Sequence, residues 1–233
     1  MLRKGYPSIL CIELYKGGIL MRGQNFTINN ELPLLDMVIS RDKGFINVIV
    51  DFLAIISFVA ATGLAAQFKF YLNPAVPVTG QTFVVLMAGA VLGMKKGFIA
   101  MSLYAILGWA SHVGVLSFSM FAGSFLSKGY VIGFIAAATV IGYFVERGWG
   151  RNPIRLAGIM LIGEIFIYLF GLMWLGIFIT SDQILSNETT RLGLVYSWGV
   201  GNFWIGDTIK LILAAGLVPT LTKLIDTIKT NAR

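Results

Sequence analysis

Long apolar runs alternate with short polar interruptions along this chain, and the runs have the length of membrane spans. In order they lie at about 48–68, 76–93, 97–118, 129–145, 156–180 and 198–218. Each is close to the roughly 20 residues that a helix needs to cross a hydrocarbon core about 30 Å thick. The pattern predicts an all-α polytopic membrane protein with six transmembrane helices. Residues 1–47 break it: Gly17-Gly18, Asn29-Asn30 and scattered charges leave no run long enough to span. Within that tail, residues 32–39 are read as a short interfacial helix, and Met21 and Met37 leave the start of translation open. The expected organisation is a cytoplasmic tail at 1–47, a membrane domain at 48–218 and a cytoplasmic tail at 219–233.

Composition agrees. The chain of 233 residues is 57% hydrophobic and 12% charged, whereas a soluble domain is about one quarter charged. The net charge of +7 is spread between the apolar runs and does not form a phosphate-binding patch, so nucleic acid is not an expected partner. Its distribution instead sets topology. Arg3, Lys4, Lys16, Arg22, Arg41, Lys43, Lys95, Lys96, Arg147, Arg151, Arg155, Lys223, Lys229 and Arg233 fall on the side of the N-terminus, against Lys69, Lys128 and Arg191 on the other. The positive-inside rule then places both termini in the cytoplasm of a multi-pass cell-membrane protein.

The chemistry is sparse. Cys11 is the single cysteine, which excludes an internal disulfide, and His112 is the single histidine, which excludes a histidine-rich metal site. No metal or cofactor is expected. Neither a phosphate-binding loop of the Gly-x-x-x-x-Gly-Lys type, nor His-Glu-x-x-His, nor a nucleophile elbow occurs. The chain is therefore read as no enzyme, and a transport step driven by ATP requires a partner.

What remains is an acid and a base inside an apolar run. Asp207 and Lys210 lie three residues apart within 198–218, a spacing that puts both on one helix face. A lone charge near the middle of a bilayer costs about 3 kcal/mol on insertion scales. The two either neutralise each other as a structural pair or meet a polar ligand between helices. Thr79, Gln81 and Thr82, together with Trp109, Ser111, His112 and Trp174, are expected in the same outer half of the membrane, which suggests a pocket open to the exterior. Two prolines and a glycine in Asn73-Pro74-Ala75-Val76-Pro77-Val78-Thr79-Gly80 interrupt the entry to the second span. Non-helical backbone survives at such depth where protein or a water-filled cavity satisfies it. Glu164 is expected in the inner half of the fifth span, hydrogen-bonded between helices, and Asp51 is read as a cap of the first.

The stretch Val76-Pro77-Val78-Thr79-Gly80-Gln81-Thr82-Phe83-Val84-Val85-Leu86-Met87-Ala88-Gly89-Ala90-Val91-Leu92-Gly93 resembles the signature of the BioY family, the biotin-binding membrane subunits of energy-coupling-factor transporters. The likeness continues at Ser102, Tyr104 and Gly108, at Gly129-Tyr130-Val131-Ile132-Gly133-Phe134, at Ile167-Tyr168-Leu169-Phe170-Gly171 with Trp174-Leu175, and at Gly206-Asp207 with Lys210. The resemblance implies biotin capture from outside and partnership with a transmembrane coupling subunit and two ATPases. It points to Asp207 as acceptor for the ureido N–H groups and to Lys210 as donor to the ureido oxygen or the carboxylate. Gln81 and Thr82 would orient the ligand's polar edge, and Tyr168 and Trp174 would pack on its thioether ring. The small residues Ala61, Thr62, Ala65 and Ala66 would dock on the coupling subunit, although packing within the bundle explains them as well.

One region departs from the family. Where Pro-Thr-Gly-Gly-Tyr is usual, this chain reads Ser124-Phe125-Leu126-Ser127-Lys128-Gly129-Tyr130, and residues 117–130 contain no Asn. Lys128 faces the ligand's carboxylate or sits at the outer interface. Two rivals stand beside biotin capture: the same architecture serving another vitamin, and an intramembrane enzyme built on Asp207, Glu164 and Lys210.

Overall fold

The apolar runs become helices whose ends are set by local chemistry. The computed structural model describes residues 33–38, 44–114, 124–201 and 203–231; residues 1–32, most of the expected N-terminal tail, and 115–123, which include the end of the expected third span, lie outside them. The described helices are α1 (Leu34–Val38), α2 (Gly44–Ala65), α3 (Gln81–His112), α4 (Lys128–Val145), α5 (Pro153–Phe178), α6 (Ser181–Ser186), α7 (Arg191–Tyr196) and α8 (Trp204–Asn231). A small antiparallel ribbon, β1 (Lys69–Phe70) with β2 (Val78–Thr79), pairs Lys69 with Thr79 and Phe70 with Val78. Among the described residues, five helical stretches are long and apolar enough to cross a membrane: Gly44–Ala65, Gln81–His112, Phe125–Val145, Pro153–Phe178 and Arg191–Asn231.

The longest run hides a reversal. Inside α3, Gly93 has φ +80° and ψ −176°, outside the helical region and costly for any residue with a Cβ. The Gln81 side chain donates to the Tyr104 hydroxyl at 2.6 Å, yet in a straight helix these residues would stand about 34 Å apart at 1.5 Å per residue. A Cβ on Gly97 would likewise lie 3.5 Å from the Gly89 Cα. The chain therefore folds back at Gly93 into two arms, 81–92 and 94–112, where the sequence predicts separate spans at 76–93 and 97–118. The first arm is only about 18 Å long, and the non-helical segment from Asn73 to Gly80 leads into it. Asn73 closes that segment: its side-chain oxygen accepts from the Ala75 and Val76 amides at 3.0 and 2.8 Å, and its amide donates to the Trp198 carbonyl at 3.1 Å.

Glycines let the helices touch backbone to backbone. A Cβ on Gly133 would fall 2.6 Å from the Ile167 Cα, and one on Gly142 would fall 2.3 Å from the Gly93 carbonyl carbon. Helix α4 is thus wedged between α3 and α5 at distances that only hydrogen side chains permit. Asn152 caps α5 by accepting from the Ile154 and Arg155 amides at 2.9 and 3.2 Å, with Pro153 in the first turn.

One expectation needs correction. Asp51 does not cap the first span, because α2 starts at Gly44 and Asp51 lies two turns inside it. It pairs with Lys96 at 2.7 Å, and the same ammonium reaches Asp36 of α1 at 2.6 Å. Past residue 218, where the sixth span is expected to end, α8 carries a buried Pro219 and continues as helix to Asn231. Its final turns are held by Arg151 to Asp226 at 3.0 Å and by Lys229 donating to the Met37 carbonyl. Within the small-residue stripe of α2, Thr62 is fully buried with its hydroxyl donating to the Phe58 carbonyl at 2.7 Å. Ala65 backs onto Gly80, whose Cβ position is 3.5 Å away. The exposed side of α2 carries Phe45, Val48, Phe52, Leu53 and Leu64.

Candidate binding site

The fold-back of α3 brings the non-helical Pro77–Gly80 segment against α8, and the polar cluster forms at that meeting. Asp207 sits in the first turn of α8 and is 7% exposed. Its Oδ1 accepts from Thr82 Oγ1 and from Lys210 Nζ, both at 2.9 Å. Its Oδ2 accepts from the Tyr168 hydroxyl of α5 at 2.5 Å. Lys210 also donates to the Thr79 carbonyl at 2.6 Å and to Thr82 Oγ1 at 3.2 Å. An ammonium has three N–H groups, so the three contacts satisfy it. The Thr79 carbonyl is free to accept because the backbone is not helical there. The proline-broken entry thus supplies a ligand-like oxygen to an intramembrane cation.

These groups wall a cavity. An inner chamber of about 60 Å³ is lined by Asp207, Lys210, Thr79, Gln81, Thr82 and Tyr168, closed by the apolar Val76, Val78, Phe134, Ile167 and Phe203 and by Tyr130. Beside it lies an outer chamber of about 270 Å³, lined by Lys69, Tyr71, Tyr104, Gly108, Ser124 and Lys128 and also by Ala66. Pro77, Thr79, Gln81, Ser127 and Val131 belong to both. Gln81 spans the boundary, accepting from Thr79 Oγ1 at 3.0 Å while donating to Tyr104.

Of the residues singled out in the sequence, Asp207, Lys210, Thr79, Gln81, Thr82 and Tyr168 come together in the inner chamber, and Lys128 lines the outer one. Trp174 stands outside both. Its indole N–H donates to the Phe125 carbonyl at 3.0 Å, and its ring packs on Phe125, Phe178 and Trp109 with centroids 4.5 to 6.4 Å apart. His112 stacks on Phe125 in the same aromatic group. Glu164 is 5% exposed, one helical turn from Tyr168, and its Oε1 has no hydrogen-bond partner among the described residues. No group of three His, Cys, Asp or Glu among the described residues is placed to hold a metal.

Sequence reasoning missed several positions. Tyr130, which donates to the Gly199 carbonyl at 3.0 Å, and Tyr104 carried the family likeness but received no role in the site. Asn73 ties the broken entry to the Ser197–Gly201 turn before α8 by donating to the Trp198 carbonyl. Its signal was present: an Asn directly before a proline favours side-chain closure onto the backbone two residues on.

Apolar helices around a small polar cavity, with an internal ion pair at its floor, define a polytopic membrane protein built to hold a solute. The chain belongs to the BioY family, which it matches over residues 37–227. It is 38% identical over 162 residues to a probable biotin transporter BioY of Pyrococcus horikoshii, covering 67% of this chain and 86% of that one. It is 31% identical over 172 residues to the biotin transporter BioY of Thermotoga maritima, covering 72% and 92%. In fold it is similar to a crystal structure of the S-component for biotin from an ECF-type ABC transporter, with a TM-score of 0.57 and 24% identity over 79% of this chain and 95% of that one.

Proposed function

We propose that this chain is the substrate-binding membrane subunit of an energy-coupling-factor vitamin importer and that it captures biotin from the extracellular side of the cell membrane. The carrying observation is the Asp207–Lys210 pair with Thr82 and Tyr168 on the wall of a cavity, in a chain of the BioY family. Biotin offers two ureido N–H donors and one ureido oxygen. Asp207 is suited to accept from the donors, and Lys210 to donate to the ureido oxygen or the carboxylate. In the structure described here both are satisfied internally, so ligand binding is an exchange of bonds and the charges are never left bare. The indole N–H of Trp174 is already taken up, and its place among aromatic rings favours an anchor at the membrane interface over packing on the ligand.

The reading includes six spans with both termini in the cytoplasm. It is supported by the fold-back at Gly93 and by the gathering of Lys96, Arg151 and Lys229 with α1 at one end of the bundle. It also includes a transmembrane coupling subunit and two ATPases as partners, since the chain carries no nucleotide-binding motif. Equilibrium binding of a panel of water-soluble vitamins to the detergent-purified chain tests the assignment. Biotin is expected to bind tightly and the others weakly; tight binding of a different vitamin with no biotin affinity would overturn the choice of ligand.

A further inference from the structure

Glu164 is a buried acid that the cavity does not use. It lies in α5, is 5% exposed, and lines neither chamber. Its Oε1 is buried without a hydrogen-bond partner among the described residues, a condition that costs free energy. Two other described side-chain oxygens share it, Asn47 Oδ1 in the first turn of α2 and Ser111 Oγ in the last turn of α3. Glu164 alone of the three stands on α5, one turn before Tyr168. Side chains on a helix lean toward its N-terminus, so the Tyr168 ring reaches back over the turn that carries Glu164. The two side chains lie within electrostatic reach of each other, and Glu164 is also within reach of Asp207 and Lys210.

Ligand binding creates a need for that free acceptor. Asp207 Oδ1 already takes Thr82 and Lys210, whereas Oδ2 takes only the Tyr168 hydroxyl. A ureido N–H that reaches Asp207 therefore competes with Tyr168 for Oδ2. The displaced phenol would be buried beside Phe134 and Ile167, where an unpaired O–H is costly. The neighbouring Tyr130 hydroxyl is committed to the Gly199 carbonyl.

We propose that Glu164 is a positioning residue for ligand binding: its Oε1 is the acceptor onto which the Tyr168 hydroxyl turns when the ligand takes Asp207 Oδ2. No proton changes owner; one O–H exchanges one carboxyl acceptor for another. This rests on the biotin reading above and deepens it by giving the second acid of the bundle a part in capture.

The test is a double-mutant cycle on the purified full chain, read by equilibrium titration with biotin. In the wild-type background Glu164→Leu should weaken binding about tenfold, equivalent to about 1.4 kcal/mol. Glu164→Gln keeps an acceptor oxygen and should stay within about threefold of wild type. In the Tyr168→Phe background no hydroxyl has to move, and Glu164→Leu should change affinity by less than about twofold. The same loss in both backgrounds, or wild-type affinity in Glu164→Leu, overturns the proposal. A second readout does not depend on Glu164→Leu folding. The difference between infrared spectra with and without biotin should contain a carboxyl band that Glu164→Gln and Tyr168→Phe each abolish. A difference spectrum in which neither substitution removes a band overturns the exchange. A wild type that binds no biotin removes the biotin reading itself, and the exchange with it.

Discussion

Asp207 is tolerated in an apolar run because three donors converge on its two oxygens. The Tyr168 hydroxyl serves Oδ2 alone, which is where an incoming ureido N–H has an oxygen to take over. Removing that hydroxyl deletes a hydrogen bond to a charged group, worth about 1.5–3 kcal/mol. Tyr168→Phe is therefore expected to lower the thermal midpoint of the ligand-free protein and to lower it less in saturating biotin, measured by thermal unfolding in detergent. An equal loss with and without biotin would mean that ligand and hydroxyl do not exchange. At this level the sequence was most readable: an acid and a base three apart inside oil single themselves out, and Thr79, Gln81 and Thr82 stand at a break in the helix pattern. Trp174 was harder to place. Whether an indole near a span end faces a cavity or its neighbours depends on where Phe125 puts its carbonyl, and that is set by a turn remote in sequence.

Among the elements, α4 depends on the absence of side chains. A Cβ on Gly142 would press at 2.3 Å on both the Gly93 carbonyl carbon and the Met94 amide, backbone atoms at the reversal that cannot swing aside. Gly142→Ala is expected to destabilise the protein by about 1–3 kcal/mol or more. Gly216→Ala, whose Cβ would meet nothing within 4 Å, should be neutral or raise stability by up to about 1 kcal/mol through helix propensity. Thermal midpoints of the two variants decide it, and equal midpoints would count against the close approach at Gly93. Span existence was legible from length and hydropathy. The reversal at Gly93 was legible only as a gap between two runs, and the inward faces of the spans were not legible at all. Lipid and core are both apolar, so a membrane helix loses the amphipathic periodicity that marks the buried face of a soluble one. That is why Tyr130, Phe134 and Ile167 emerged as cavity walls only in three dimensions. It is also why Thr62 turned out to be buried inside the bundle.

Over the whole molecule the two ends do different work. One end is tied together by ion pairs, with Lys96 joining α1, α2 and α3, and Arg151 joining α8 to the turn before α5. Toward the other, the proline-broken entry, the β ribbon and the first turn of α8 surround the cavity. A base closed by ion pairs with a polar cavity toward the other end suits a subunit that holds a solute. The purified chain is accordingly expected to bind biotin without any ATPase present. The decisive measurement is the biotin affinity of Asp207→Asn and Lys210→Met against the wild type, by equilibrium titration in detergent. Truncating one member of a buried hydrogen-bonded charge pair costs about 2–5 kcal/mol, so each variant should bind at least about 30-fold more weakly. Wild-type affinity in both folded variants would contradict the assignment of this acid and base to the ligand.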